Sequence, residues 1–147
     1  MGFFDRLFGR RREETPAARW LSRRAQAEPE DVVAEHFAAM AAHDLEWLLA
    51  TLTPERGRLY SGPTTLDRRR LSVKAARVTG VTPAPDAPVD RVAGYAEQQV
   101  LRVDYELELV PADELRDPSL TEGPQWAYYQ LVRERSGSPW LIADWGR

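Results

Sequence analysis

A run of alternating apolar and charged residues, from Gln99 to Leu109, constrains the fold of this chain more than any other segment. Side chains of a β-strand point alternately to its two faces, so the pattern predicts a strand with one buried and one exposed face. Such a strand belongs to an antiparallel sheet whose apolar face is covered by other elements. The apolar positions are Leu101, Val103, Tyr105, Leu107 and Leu109, and the charged ones are Arg102, Asp104, Glu106 and Glu108.

Two amphipathic helices earlier in the chain are suited to cover that face. Pro29 fits the first turn of a helix that we expect over about residues 30–42, where apolar residues recur at helical spacing. Asp44 is a favourable N-cap for a second helix, which ends before Thr53 and Pro54. Neither helix can bury its apolar stripe alone, so both are predicted to pack on the sheet.

The remaining segments complete the sheet. Residues 71–82 alternate and then change phase between Ala75 and Ala76, which predicts a β-bulge in a bending strand. Residues 126–134 and 140–145 are predicted as two strands joined by a hairpin loop at 135–139. Residues 83–90 and 111–124 are expected to form loops, the second long enough for a flap. The predicted fold class is therefore α+β, with N-terminal helices packed on a curved, cone-like antiparallel sheet.

Residues 1–27 are predicted to form a basic amphipathic tail and tether, and residues 28–147 the folded domain. Apolar side chains at helical spacing beside an arginine cluster are typical of segments that dock on anionic membranes or on a partner protein. The same residues suit docking on the chain's own domain or on a sister subunit, and an unstructured start is a third reading. One helical stretch is expected at about residues 16–26. The docking residues are Phe3, Phe4, Leu7 and Phe8, with Arg10, Arg11 and Arg12.

Composition and charge narrow the function classes. The chain has 147 residues, enough for one domain, and a net charge of −3. Residues 1–24 carry +4 and the remainder −7, so the acidic body disfavours nucleic-acid binding. The chain has no cysteine and only two histidines, seven positions apart, so we predict no metal site and no cofactor. With no membrane-spanning run and no signal peptide, the expected location is cytoplasmic, peripheral to the membrane if the tail docks there.

The order of these elements resembles the nuclear-transport-factor-2-like, or cystatin-like, superfamily. The likeness covers about residues 28–147 and depends on the helical pair VVAEHFAAMAAHDLEWLLATLTP and the closing strand WLIADWG. Within the superfamily it is nearest to small bacterial members that end in a Trp-aliphatic-Asp-Trp-Gly strand. The resemblance implies a cone in which the sheet wraps the helices and leaves a cavity open at one end. We also expect a homodimer through the open sheet face.

Two functional hypotheses follow. The first is a non-catalytic domain that binds an apolar small molecule or a partner, with no catalytic residue. The alternative is an isomerase, cyclase or dehydratase that uses a pocket carboxylate and a tyrosine, as the isomerase-like members of the superfamily do. Asp144 is the candidate carboxylate, because alternation places it on the same face as Trp140 and Ile142. The other reading is that Asp144 lies at the exposed end of the strand and makes a structural hydrogen bond or salt bridge. The candidate ligand-binding residues are Tyr60, Tyr105, Tyr128, Trp140 and Asp144, unless the aromatic residues simply fill the core.

Overall fold

A computed structural model of the chain describes residues 14–61, 65–112 and 116–147. The helices are α1 (Pro16–Arg23), α2 (Pro29–Ala41), α3 (Leu45–Leu49), α4 (Pro54–Gly57) and α5 (Thr65–Ser72), with 3₁₀ turns at Arg24–Gln26 and Arg58–Tyr60. The strands are β1 (Val73–Pro83), β2 (Glu97–Leu109), β3 (Gly123–Arg133) and β4 (Leu141–Gly146). They form one antiparallel sheet in the order β1-β2-β3-β4, with helices packed against it, which confirms the predicted α+β fold class.

The alternating segment forms β2, which pairs with β1 on one side and β3 on the other. Its apolar positions Leu101, Val103 and Leu107 are buried, as the alternation predicts. Helix α2 lies on this face, and its Phe37 belongs to the same core cluster as Leu101 and Val103. No helix among the described residues is long and apolar enough to span a membrane.

The sheet pairing is interrupted at three places. In β1 the register against β2 shifts between Val73 and Ala75 and again between Val78 and Gly80. A third shift lies between Gln130 and Leu131, where β3 pairs with β4. Register shifts of this kind bend a strand and increase its twist, and the first confirms the bulge expected near Ala75.

The corner after α2 is closed by backbone hydrogen bonds. His43 adopts the left-handed conformation with a φ of 54°, which is uncommon outside glycine. Its N–H donates to the Met40 carbonyl at 3.1 Å, and the Asp44 N–H donates to the Ala39 carbonyl at 3.1 Å, as in a Schellman motif. The His43 ring also bonds through Nε2 to the Val73 carbonyl, which ties the end of α2 to the start of β1.

Helix α3 begins as predicted, because the Asp44 carboxylate accepts a hydrogen bond from the Trp47 N–H at 3.1 Å. It ends at Leu49 rather than at Leu52. The chain then extends beside β4, where the Thr51 carbonyl accepts from the Ile142 N–H at 2.8 Å. Pairing with β4 satisfies backbone groups at this sheet edge, which outweighs continuation of the helix.

The segment predicted as a tether packs on the folded body from Pro16 onward. Trp20 on α1 has no exposed surface and belongs to the main core cluster. Its indole N–H donates to the Ala50 carbonyl at 3.1 Å, and the Arg24 guanidinium donates to the same carbonyl at 2.9 Å. The folded unit therefore begins before residue 28. The predicted docking residues, Phe3, Phe4, Leu7, Phe8, Arg10, Arg11 and Arg12, lie outside the described residues.

We predict that Trp20→Ala lowers the free energy of unfolding by about 3–5 kcal/mol, because it leaves a cavity in the core. Leu21→Ala is the matched control on the same helix, since Leu21 is 48% exposed, and it should change stability by less than about 0.5 kcal/mol. Urea unfolding measures both values. Equal effects of the two substitutions would contradict the assignment of α1 to the folded unit.

Candidate functional site

A cavity of about 60 Å³ lies under the sheet's apolar face, between α2, α5 and the loop that follows β2. Apolar side chains from α2, β1 and β2 form part of its wall. Polar and aromatic groups form the rest, namely Tyr60, Tyr105, Tyr129, Trp145, Arg69 and Arg70. Aromatic rings that carry a few hydrogen-bonding groups are the usual wall of a small-molecule site.

Three tyrosines from separate elements line this cavity: Tyr60 from a 3₁₀ turn, Tyr105 from β2 and Tyr129 from β3. Phe37 on α2 holds two of them, with its ring centroid 5.0 Å from that of Tyr105 and 5.8 Å from that of Tyr129. Burial raises the pKa of all three phenols, most strongly for Tyr129. At neutral pH each hydroxyl therefore keeps its proton and can donate a hydrogen bond.

The two arginines come from α5 and differ in how they are paired. Arg70 is bound to Asp67 through both Nε and Nη2, each 2.8 Å from the same carboxylate oxygen. Arg69 donates from Nη1 to the Ser119 hydroxyl at 2.8 Å, and the same nitrogen is 4.0 Å from Asp117 Oδ2. None of the described residues that line the cavity is acidic, but Asp67 and Asp117 lie within 4.0 Å of the two guanidinium groups.

Residues 116–122, which we call the strap, cover the cavity from the loop after β2. The Asp117 N–H donates to the Ser72 hydroxyl at 2.8 Å, and the Ser119 N–H and hydroxyl donate to the Asp117 carboxylate at 2.8 and 2.7 Å. Burial opposes ionisation of Asp117, but the hydrogen bonds from Ser119 and the charge of Arg69 lower its pKa overall. Leu120 of the strap faces the cavity, as expected for a flap over the apolar interior.

Trp145 closes the end of the cavity near β4. Its ring stacks on Tyr129 at a centroid distance of 5.7 Å and an interplanar angle of 18°. The Arg56 guanidinium lies 4.1 Å from the centroid of the Trp145 ring, a cation–π contact. Arg56 is also paired with Asp144 at 3.3 Å, so this wall is held from outside the cavity.

His36 lies behind the cavity wall, with no exposed surface and with its ring 5.4 Å from Trp145. The Thr51 hydroxyl donates to the Leu48 carbonyl at 2.7 Å, so at 3.0 Å it accepts from His36 Nδ1. This assigns the proton to Nδ1 and leaves Nε2 as a buried acceptor without a partner among the described residues. Burial lowers the pKa of His36 to about 3, and the positive charge of Arg56 contributes to that shift.

The buried histidine predicts acid sensitivity. In the unfolded chain the imidazole takes up a proton below about pH 6.5, whereas in the folded chain the pKa of His36 is about 3. The contribution of neutral His36 to the free energy of unfolding is therefore present in full well above pH 6.5, and it is lost as the pH falls from 6.5 towards 3. Between pH 7 and 5 we expect the free energy of unfolding to fall by about 2 kcal/mol.

The measurement is urea unfolding at pH 7 and pH 5 for the natural chain and two variants. His36→Leu should abolish most of the decrease, because no buried base remains to be protonated. His43→Asn is the matched control, since asparagine tolerates the left-handed conformation, and it should retain the decrease. A decrease of the same size in His36→Leu would show that another group causes the acid sensitivity.

The five side chains expected to bind a ligand do not all line the same cavity. Tyr60 and Tyr105 line the cavity. Tyr128 lies outside this cavity, edge-to-face against Trp126 with centroids 5.2 Å apart, and it lines a separate surface pocket together with Asp144. Trp140 is buried in the core, with the Arg133 guanidinium 4.5 Å from its ring centroid, and it is not among the residues that line the cavity.

Asp144 does not point into the cavity; it is paired with Arg56 at 3.3 Å, which agrees with the reading of an exposed structural salt bridge. The pairing of β3 with β4 joins Leu131 to Ile142 and Gln130 to Asp144, so it skips Ala143. This irregularity reverses the alternation that was expected after Ile142. Ile142 is buried and Trp145 lines the cavity, whereas the Asp144 side chain is 52% exposed.

Sequence reasoning missed four residues that line the cavity: Tyr129, Trp145, Arg69 and Arg70. Tyr129 carried a signal, because it alternates with the apolar residues Ala127 and Leu131 in a predicted strand. The arginines carried none, since they stand in the charged run LDRRRLS.

No group of three or more metal-ligating side chains comes together in the part of the chain that the structure describes. His36 bonds to Thr51 and His43 to the Val73 carbonyl, so each histidine has a structural partner. Comparison of the chain with protein-family models, with curated proteins and with solved structures gives no match. The residues that line the cavity are therefore the feature from which a function can be inferred.

Proposed function

We propose that this protein is a small-molecule-binding domain of the nuclear-transport-factor-2-like type, and that its ligand occupies the cavity under α5 and the strap. The observation that carries the proposal is the convergence of Tyr60, Tyr105 and Tyr129, from three elements, on one partly open cavity. Side chains that only fill a core leave no such space, because protein interiors are close-packed.

The wall chemistry favours binding over catalysis. An isomerase, cyclase or dehydratase of the kind considered above needs a base beside the substrate. No described residue in the cavity wall is a carboxylate, and the pKa values of its phenols are raised rather than lowered. His36 is neutral, but it is not among the residues that line the cavity. The wall thus offers hydrogen-bond donors and apolar surface.

The cavity volume limits the size of the buried group. A cavity of about 150 Å³ in another protein takes up benzene. By proportion, about 60 Å³ accommodates about two or three carbon atoms. We therefore expect a short alkyl or branched alkyl group to enter, with the remainder of the ligand at the mouth.

The test is an NMR titration of the full chain with 1-butanol, a neutral probe of the apolar interior. We expect the largest chemical-shift changes at Tyr105, Leu107 and Tyr129. Leu120→Phe, which fills the space beneath the strap, should abolish them, whereas Leu71→Phe should not, because Leu71 is 48% exposed and lies outside the cavity. The proposal would be contradicted if 1-butanol caused the same chemical-shift changes in Leu120→Phe as in the natural chain, or if it caused no chemical-shift change at the lining residues of the natural chain.

A second role in this proposal is recruitment to an anionic membrane by residues 1–12. These residues combine phenylalanines with an arginine cluster, and residues 1–24 carry a charge of +4. The described structure continues the same character on α1, where Arg19 is exposed and Leu21 is 48% exposed. Because Trp20 anchors α1 in the core, the segment joins a fixed point of the domain.

Deletion of residues 1–12 should abolish sedimentation with phosphatidylserine-containing vesicles and leave the unfolding midpoint unchanged. Replacing Arg10, Arg11 and Arg12 by glutamine retains the phenylalanines and should weaken the binding by removing its electrostatic part. Vesicles of pure phosphatidylcholine are the control. Equal recovery of the full and shortened chains would contradict membrane recruitment, and a lower midpoint after deletion would favour docking on the domain itself.

A further inference from the structure

We infer that the ligand of the cavity is a short-chain monocarboxylate, bound through its carboxylate to Arg69 and inserting its alkyl group towards Tyr129 and Trp145. This inference depends on the proposed binding function and specifies the chemical class of the ligand. It comes from the charge balance at the mouth, the hydrogen-bond donors in the wall and the size of the interior.

Of the two arginines that line the cavity, Arg69 is the one whose described carboxylate partner is more distant. Asp67 accepts two hydrogen bonds from Arg70 and neutralises it. Arg69 has a weaker acidic partner, since its Nη1 is 4.0 Å from Asp117 Oδ2. Both contacts of Arg69 use Nη1, and within the described residues its Nε and Nη2 make no hydrogen bond to protein groups. A planar guanidinium with two adjacent N–H groups available matches the geometry of a carboxylate.

The tyrosines add donors at the same place. Burial raises the pKa values of Tyr60, Tyr105 and Tyr129, and in each case the positive charge of Arg69 opposes the rise. All three tyrosines line the same cavity as Arg69, and the Tyr105 hydroxyl also donates to Gln125 Oε1 at 3.4 Å. A carboxylate at Arg69 can also accept hydrogen bonds from protonated phenols, which strengthens its binding in a partly desolvated site.

The interior selects against a second charge. Apolar groups such as Phe37, Met40 and Leu107 also line the cavity, whose whole volume is about 60 Å³. A second carboxylate placed against these apolar groups would lose its hydration without gaining a cationic partner. An alkyl group of about two or three carbons fits the volume. Butyrate meets both conditions and serves as the probe.

The experiment compares butyrate with butyramide, 1-butanol and succinate in NMR titrations of the full chain at low ionic strength. Butyramide has nearly the same shape as butyrate but no charge. We expect butyrate to bind about tenfold or more tightly than butyramide, as a charge-assisted contact to a guanidinium requires. Succinate should bind more weakly than butyrate. Equal affinities for butyrate and butyramide would overturn the inference, and this result needs no variant.

Arg69→Met should reduce the affinity for butyrate about tenfold or more and should reduce the affinity for 1-butanol by a clearly smaller factor. Arg77→Met is the matched control, because Arg77 is an exposed arginine on β1 that pairs with Glu106 and lies outside the cavity wall. It should leave the butyrate affinity unchanged. Unaltered butyrate affinity in Arg69→Met, or an equal loss in both variants, would overturn the role of Arg69.

The outcomes for the ligand class and for the binding function are distinct. If 1-butanol changes the chemical shifts of the lining residues but butyrate binds no more tightly than butyramide, the cavity binds neutral ligands. In that case only the carboxylate inference fails. If neither 1-butanol nor butyrate shifts the lining residues, the proposed binding function fails as well.

Discussion

The contact between α2 and the apolar face of the sheet, closest at β1, is the interaction on which the rest of this structure depends. Neither surface is stable in water alone, because each would expose a continuous apolar stripe. Phe37 is at the centre of this contact and packs on both Tyr105 and Tyr129. The bulges in β1 bend the sheet around the helix, so the two surfaces match over part of their length and leave the cavity where they diverge.

Burial at this contact also determines the chemistry of the cavity. Desolvation penalises charge, so it keeps His36 neutral and the three phenols protonated at neutral pH. The described residues of the cavity wall therefore supply O–H donors beside a guanidinium that remains charged because its pKa is very high. Such an environment stabilises a bound anion better than it abstracts a proton.

Local sequence patterns predicted the main secondary-structure elements of this fold. The placement of some side chains depends instead on tertiary pairing, which local patterns do not contain. The alternation of β2, the start of α2 near Pro29 and the cap at Asp44 are all properties of neighbouring residues, so the sequence was sufficient. The sequence left two positions open for Asp144, inward by alternation or exposed in a salt bridge, and the register shift against β3 decides for the exposed one. Burial of Trp20 likewise depends on Ala50, thirty positions away. The superfamily likeness stays a prediction.

The strap holds the Arg69 guanidinium in place, because the Ser119 hydroxyl is hydrogen-bonded to it. Ser119 accepts from Arg69 Nη1, while Asp117 is fixed by Ser119 and by Ser72. A long side chain already held by one nitrogen loses less rotamer entropy when its other nitrogens bind a carboxylate. Leu120 of the same strap covers the apolar interior. One short segment thus positions the cation and closes the apolar space, so the two halves of an amphipathic ligand would be recognised together.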